Sequence, residues 1–282
     1  MAVPNQVSLR DYRVSFAMPD DPWAFRHFFR SLEALFGAWF YARLSRKAHA
    51  EMKPGESIWG AYLRLVDAEA EAIGETLPQI PRDRAVVFVA NHPTGIPDAA
   101  VLGHLIDRHI RNDALFITFR PLAQLPSVAD RSIPIDLPSP SGRFSPKCAR
   151  NMARSFATAR RHLNDGGAVV AFPAGPDGEC TPSGTYVDGP WQKATFKLAA
   201  ETGATIVPVF IDAQMSRLRR ACRRLSPLLY HAAAAHEVRN MKKRRIEAVF
   251  GQPIDAAGLA SKTAGDDVAS VMRETTYALA AA

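Results

Sequence analysis

Val86-Val87-Phe88-Val89-Ala90-Asn91-His92-Pro93-Thr94-Gly95-Ile96-Pro97-Asp98 carries an uninterrupted apolar run into a Pro/Gly turn and on toward a helix opening near Asp98. A short apolar run bounded by a turn signal reads as a strand buried on both faces, as an open parallel sheet requires. The turn holds one histidine and one carboxylate, with five residues between them. Chemistry placed at the carboxyl end of a buried strand sits on a rigid platform, where open α/β sheets bind their ligands. Histidine is the side chain that exchanges a proton near neutral pH, so His92 can take one from a hydroxyl and return it. Asp98, about one helical turn on, can fix the imidazole tautomer. The competing reading is a loop histidine beside an aspartate that caps a helix.

Outward from this stretch, after Pro81, short apolar runs alternate with helical patterns. Strands are expected over 85–90, 114–118, 168–172, 205–211 and 246–250, with helices near 98–110, 146–164 and 190–202. The alternation predicts an α/β fold, an open and mostly parallel sheet flanked by helices on both faces. Pro208, inside Ile206-Val207-Pro208-Val209, cannot donate to a ladder, which places its strand at an edge or at a bulge. Upstream, Phe25, Phe28, Phe29, Leu32, Leu35, Phe36, Trp39 and Phe40 recur at three and four, with Arg26, Arg30, Arg43, Arg46 and Lys47 beside them. They form one apolar stripe on one helix. The stripe suits a helix lying in a membrane surface, and equally one packed on the protein's own core; the two are compatible. A second amphipathic helix follows Pro54-Gly55, with Ile58, Tyr62, Leu65, Val66, Glu69 and Ile73 on one side. The prolines of Leu77-Pro78-Gln79-Ile80-Pro81 then mark a boundary between a helical N-terminal region, residues 1–80, and the main domain, residues 81–282.

A chain of 282 residues suits one large α/β domain with an appendage. Its net charge of +7 implies an anionic partner. Arg217, Arg219, Arg220, Arg223 and Arg224, then Lys242, Lys243, Arg244 and Arg245, form two basic clusters. They read as solvated faces or as docking sites for anionic lipid or an acidic carrier protein. No nucleic-acid motif accompanies them, so nucleic acid is not the expected partner. Cys148, Cys180 and Cys222 are scattered, without the spacing of a zinc site or a disulfide framework, and no metal is expected. The sequence shows no signal-peptide pattern and no long uninterrupted apolar run, which predicts a protein that is soluble or sits on a membrane surface.

A second buried strand enters a Pro/Gly turn in Gly166-Gly167-Ala168-Val169-Val170-Ala171-Phe172-Pro173-Ala174-Gly175-Pro176-Asp177-Gly178. Gly175 and Gly178 allow main-chain N–H groups to approach an anion or a developing oxyanion. The Gly-Lys-Ser/Thr ending of a P-loop is missing. A third strand, from Thr205, runs into Asp212-Ala213-Gln214-Met215-Ser216-Arg217.

Together these stretches resemble the glycerolipid acyltransferase superfamily, whose best-known members are the lysophosphatidic acid acyltransferases. Asn91-His92 with Asp98 resembles its His/Asp motif, Phe172-Pro173-Ala174-Gly175 its Phe-Pro-Glu-Gly motif, and Ile206-Val207-Pro208-Val209 its final apolar-Pro motif, all in the family's order between residues 85 and 217. Two departures, five residues rather than four between His and Asp and Ala174 in place of glutamate, are similar to the hemolysin-like branch, which includes lyso-ornithine-lipid acyltransferases. The family's Ile-Asp-Arg motif is matched by Ile133-Pro134-Ile135-Asp136-Leu137, without the arginine that reads an acceptor phosphate; Arg131, Arg143 and Lys147 are the candidates to replace it.

The resemblance implies a membrane-associated O-acyltransferase of lipid biosynthesis. It would move a fatty acyl group from an acyl carrier protein or coenzyme A thioester to the hydroxyl of a lyso-lipid, with no cofactor. His92 would be the general base and Asp98 its support. Asn91, Thr94, Gly95, Arg131, Phe172, Pro173, Gly175, Trp191 and Lys193 are the expected substrate-binding residues, with oxyanion donors near Gly95 or Gly175. Lyso-ornithine lipid is favoured over lysophosphatidate as acceptor, and the expected location is the cytoplasmic face of the inner membrane, as a peripheral protein. The sequence shows no Gly-x-Ser-x-Gly elbow, so no covalent enzyme intermediate is expected. Nothing supports lysis, whatever the branch is called. A catalytically silent lipid-binding protein of the same fold is the reading of another class: the lost glutamate allows it, and the intact His92 and Asp98 oppose it.

Overall fold

The computed structural model describes residues 8–17, 21–136, 146–175, 178–181, 185–263 and 268–281. Leu137, Arg143, Pro176 and Asp177, which enter the motif readings above, lie outside them. The described strands are β1 (Glu69–Ile73), β2 (Val86–Ala90), β3 (Leu115–Phe119), β4 (Ser132–Ile135), β5 (Ala168–Ala171), β6 (Gly178–Cys180), β7 (Tyr186–Asp188), β8 (Thr205–Asp212), β9 (Arg245–Phe250) and β10 (Ile254–Asp255). The main sheet has the order β1-β9-β8-β2-β5-β3-β4, with β10 also on β8, while β6 and β7 form a separate hairpin. β2 runs parallel to both its neighbours, and β5–β3, β3–β4 and β1–β9 are parallel too. Only the pairings of β8 with β9 and β10 in this sheet are antiparallel. The sheet is therefore mostly parallel, as its apolar runs require.

Residues of β2 point alternately to two cores, the consequence of the two-residue strand period. Val86, Phe88 and Ala90 pack with the helices α3 (Ile58–Val66) and α4 (Ile96–His109) on one face. Val87 and Val89 face residues of the helices Pro146–Asn164, Ala194–Thr202 and Val268–Ala278 on the other. Both faces are covered, so the all-apolar composition of the central strands is what burial demands.

Three local expectations need correction. The aromatic stripe does not lie on one helix: a left-handed turn at Gly37, φ +96°, divides it into α1 (Trp23–Leu35) and α2 (Ala38–Ala50). Phe29 is buried and Phe25, Leu32 and Phe36 pack beside it against Ala17 and Ala232, whereas Trp23, Phe28, Leu35 and Trp39 remain exposed. The expected second helix ends at Val66, closed by Asp67 in the left-handed region, and its continuation is the strand β1. The sheet thus has a strand on each side of the boundary expected near residue 80, and Trp59, Tyr62 and Leu63 share a core with Phe88. Pro208 is in an interior strand, flanked by β2 and the β9–β10 side. Its carbonyl accepts from Gly251 N at 2.9 Å, so its missing N–H faces the gap where β9 has ended and β10 has not begun.

Phe88 is fully buried and meets Phe250 edge to face at 6.4 Å. Phe88→Ala should cost about 3–5 kcal/mol of stability. A denaturant titration checks this as a lowered midpoint at unchanged slope.

Candidate active site

His92 follows β2 at the carboxyl edge of the parallel strands. Asn91 directs it there. The Asn91 side chain donates from Nδ2 to Ile211 O at 3.0 Å and accepts from Ile211 N at Oδ1, 2.7 Å. This extends the β2–β8 ladder by one side chain, and it occupies both ends of an amide that is only 3% exposed. Asn91 therefore holds the turn and does not present its amide to a substrate.

The turn folds around Asp98. Its Oδ2 accepts from Thr94 N at 2.9 Å and Gly95 N at 2.8 Å, and Oδ1 accepts from Thr94 Oγ1. Asp98 lies in the first turn of α4 and ties the backbone at Gly95, the residue before that helix. It is 1% exposed, and its Oδ2 is 3.0 Å from His92 Nδ1. That contact is within ion-pair range but is not aligned as a hydrogen bond, since buried Nδ1 has no hydrogen-bond partner. Catalytic contacts of this kind commonly tighten only when substrate is bound. The Phe172 ring stacks on the imidazole, centroids 4.2 Å apart. With Nδ1 sealed and the side chain 22% exposed, Nε2 is the nitrogen left to meet a substrate.

Two residues outside the sequence motifs complete the surroundings. Asp188, at the end of β7, accepts the His92 N–H at 3.1 Å. Burial pushes its carboxyl above the usual carboxylate range, opposed by the hydrogen bonds from His92 N and Trp191. Arg219, from the helix Arg217–Leu225, is buried and donates from Nη1 to Thr94 O at 2.7 Å. Its guanidinium lies 4.4 Å from the centre of the Tyr230 ring. Gly95 has φ +83°, and a Cβ there would stand 3.1 Å from Arg219 Nη1, so both backbone shape and arginine call for glycine.

Several expected substrate contacts change meaning. Arg131 is at the opposite, amino edge of the sheet, just before β4, where Asp107 takes Nη2 at 2.6 Å and Ala114 O takes Nε at 3.1 Å. Arg120, after β3, is at the carboxyl edge and is held by Asp136 with Nε 2.5 Å from Oδ1. Trp191 is buried and donates from Nε1 to Asp188 Oδ2 at 2.9 Å. Lys193 is exposed immediately before the helix Ala194–Thr202. Pro173 is buried, with its carbonyl bonded to Gln192 N. Gly175 N bonds Phe172 O at 3.0 Å and Gly95 N bonds Asp98, so the N–H groups of these two glycines are themselves engaged within the protein. Thr94 is buried, with its own oxygen and nitrogen on Asp98. The Asp188 signal in sequence was slight: one acidic residue three before a tryptophan. Arg219 was visible only as one of a cluster. Among the described residues no group of metal-ligating side chains is assembled, and Cys148, Cys180 and Cys222 form no disulfide.

The family model described as Acyltransferase matches residues 74–212. The chain is similar to a lyso-glycine lipid O-acyltransferase from Phocaeicola vulgatus, 26% identical over 211 residues that cover 72% of this chain and 70% of the relative. A lyso-glycine lipid O-acyltransferase from Bacteroides thetaiotaomicron is 25% identical, with 72% of each chain covered. The crystal structure of the 1-acyl-sn-glycerophosphate acyltransferase of Thermotoga maritima is also similar, at 16% identity and a TM-score of 0.46, covering 92% of this chain and 98% of that one.

Asn91→Ala leaves the N–H of Ile211 unpaired in a buried place, while its C=O keeps Ala213 N at 3.0 Å, and should cost about 1–3 kcal/mol. Chemical denaturation checks the loss, and amide exchange at Ile211 should be faster than in the parent protein.

Proposed function

This chain is an acyltransferase of the glycerolipid acyltransferase superfamily, and on that premise we propose that it acylates the hydroxyl of a lyso-lipid with an amino-acid headgroup, using His92 as general base. The observation that carries the reading is the sealed His92–Asp98 pair at the carboxyl end of β2. In the proposed reaction Nε2 takes the acceptor hydroxyl's proton as the oxygen attacks the carbonyl carbon of an acyl carrier protein or coenzyme A thioester. The new C–O bond forms, the C–S bond breaks, and Nε2 passes the proton to the departing thiolate. Asp98, 3.0 Å from Nδ1, favours the imidazolium in between. Phe172 fixes the plane of the ring. The names of the two relatives support a lyso-glycine lipid as acceptor. The resemblance stated from sequence supports lyso-ornithine lipid, and both are amino-acid lipids. Of the candidates to read a phosphate, Arg131 is at the amino edge of the sheet and Arg143 lies outside the described residues, while Lys147 is close enough to Asp136 to lower its carboxyl pKa. The names of the relatives favour the amino-acid lipids over lysophosphatidate.

Such a reaction needs access to lipid. Among the described residues no helix is long and apolar enough to cross a membrane. We assign lipid-surface contact to α1 and α2, whose Trp23, Phe28, Leu35 and Trp39 are 68%, 56%, 81% and 58% exposed. Arg43, Arg46 and Lys47 are exposed on α2 and suit an anionic surface. We propose a peripheral position on the cytoplasmic face of the inner membrane, as the family resemblance implies.

Incubation with labelled acyl carrier protein or coenzyme A thioester and lyso-glycine lipid, lyso-ornithine lipid and lysophosphatidate tests the reaction. His92→Ala should abolish transfer. Asp98→Asn should reduce kcat by more than about 100-fold while the fold is kept, because the Thr94 hydroxyl can accept from the new amide. Near-normal transfer by His92→Ala would overturn the assignment, and transfer to no acceptor despite vesicle binding would favour a silent lipid-binding protein. The other two of the four tryptophans, Trp59 and Trp191, are buried. Tryptophan emission should therefore shift to the blue with phosphatidylglycerol vesicles, reporting Trp23 and Trp39; an unchanged spectrum would remove the lipid-surface assignment.

A further inference from the structure

His92 is bordered by two buried carboxylates, of which the mechanism above uses one. The other, Asp188, is 2% exposed. Its Oδ1 accepts the main-chain N–H of His92 at 3.1 Å and its Oδ2 accepts Trp191 Nε1 at 2.9 Å. Its own N–H donates to the Tyr277 hydroxyl at 2.8 Å, and its carbonyl accepts from Arg273 Nε and Nη2 at 3.1 and 2.6 Å. The catalytic turn, the β6–β7 hairpin, the segment leading to the helix Ala194–Thr202, and the helix Val268–Ala278 therefore meet at one residue.

The charge of this residue is placed with as much purpose as its hydrogen bonds. Asp98 from α4 and the His92 ring face it from one side, Tyr277 and Arg273 from another, and Tyr186 precedes it by two positions on β7. Arg273 binds its carbonyl oxygen, and among the described residues neither oxygen of its carboxylate is paired with a lysine or an arginine. A buried carboxylate without a cation is costly unless a positive charge arises beside it. In this site the group that becomes positive is His92, at the moment it holds the acceptor's proton.

We propose that Asp188 is a positioning residue for acyl transfer: it fixes the main chain of His92, and its negative charge stabilises the imidazolium formed as the acceptor hydroxyl is deprotonated. The inference rests on the reading of His92 as general base. Asp188 touches neither acceptor nor donor, so its contribution belongs in kcat and not in KM.

The chemistry of the two N–H donors supplies the test. Both carboxylate oxygens accept from N–H groups, so Asp188→Asn can satisfy one donor and must turn its own NH2 against the other. Asp188→Asn should therefore lose about 10- to 100-fold in kcat with acceptor KM within about 2-fold. Trp191→Phe removes the competing donor. In the Asp188→Asn/Trp191→Phe double variant the amide oxygen is free to hold His92 N, so kcat should recover several-fold over Asp188→Asn. It should stay about 10-fold below Trp191→Phe alone, because the charge is still missing. Should Asp188→Asn fail to fold, Tyr277→Phe, which removes only the hydroxyl holding Asp188 N, should lower kcat a few-fold at constant KM. Unchanged kcat in folded Asp188→Asn or in Tyr277→Phe, or a loss confined to KM, would overturn the proposal. An active His92→Ala variant would instead overturn the reading of the site itself, so the two failures are distinguishable.

Discussion

The amide of Asn91, bonded to both main-chain groups of Ile211, is the constraint on which the site depends. A parallel ladder ends wherever two strands diverge, and a turn leaving such an end is free to point in many directions. The Asn91 side chain extends the β2–β8 ladder past that end with a rigid planar group, which fixes where the next residue emerges. The next residue is His92. The rigidity of the whole sheet, with two cores packed on β2, is thereby transmitted to one imidazole.

Of the two readings of Asp98 open from sequence, the helix cap is formed, and the same side chain also lies beside the histidine. Its Oδ2 ties Gly95 N at the start of α4 and also lies at ion-pair distance from Nδ1. The capping bonds hold the carboxylate still beside the imidazole. Arg219 secures the other side of the turn through the Thr94 carbonyl, and the absent side chain of Gly95 makes room for it.

The parts of the fold legible from sequence were those whose burial is one-dimensional. β2, β5 and β8 are continuous apolar runs, and their neighbours could be anticipated because both faces must be covered. β1 was not legible: its Glu69-Ala70-Glu71-Ala72-Ile73 has no apolar run, and only parallel pairing with β9 makes it a strand. β4 was hidden by Pro134, tolerated because β4 is at the edge of the sheet. Pro208 misled in the opposite sense, since an interior strand accepts proline where its neighbour is interrupted. At the site, His92, Asp98 and Phe172 could be read because local motifs carry them. Asp188 and Arg219 could not, since each is a single charged residue whose meaning is set by a contact about a hundred residues away. Arg131 failed for the same reason in reverse: closeness in sequence to a motif put it on the wrong edge of the sheet.

The anchoring of Asp188 by Arg273 and Tyr277 links residues 85 and 89 positions apart in sequence. A nascent chain that has already exposed the His92 turn lacks that clamp until the helix Val268–Ala278 has left the ribosome and docked. Completion of the His92 turn thus comes late in the order of synthesis, after the sheet that supports it. Enzymatic output becomes a readout of finished folding, and a chain halted midway would carry the motif without its full geometry.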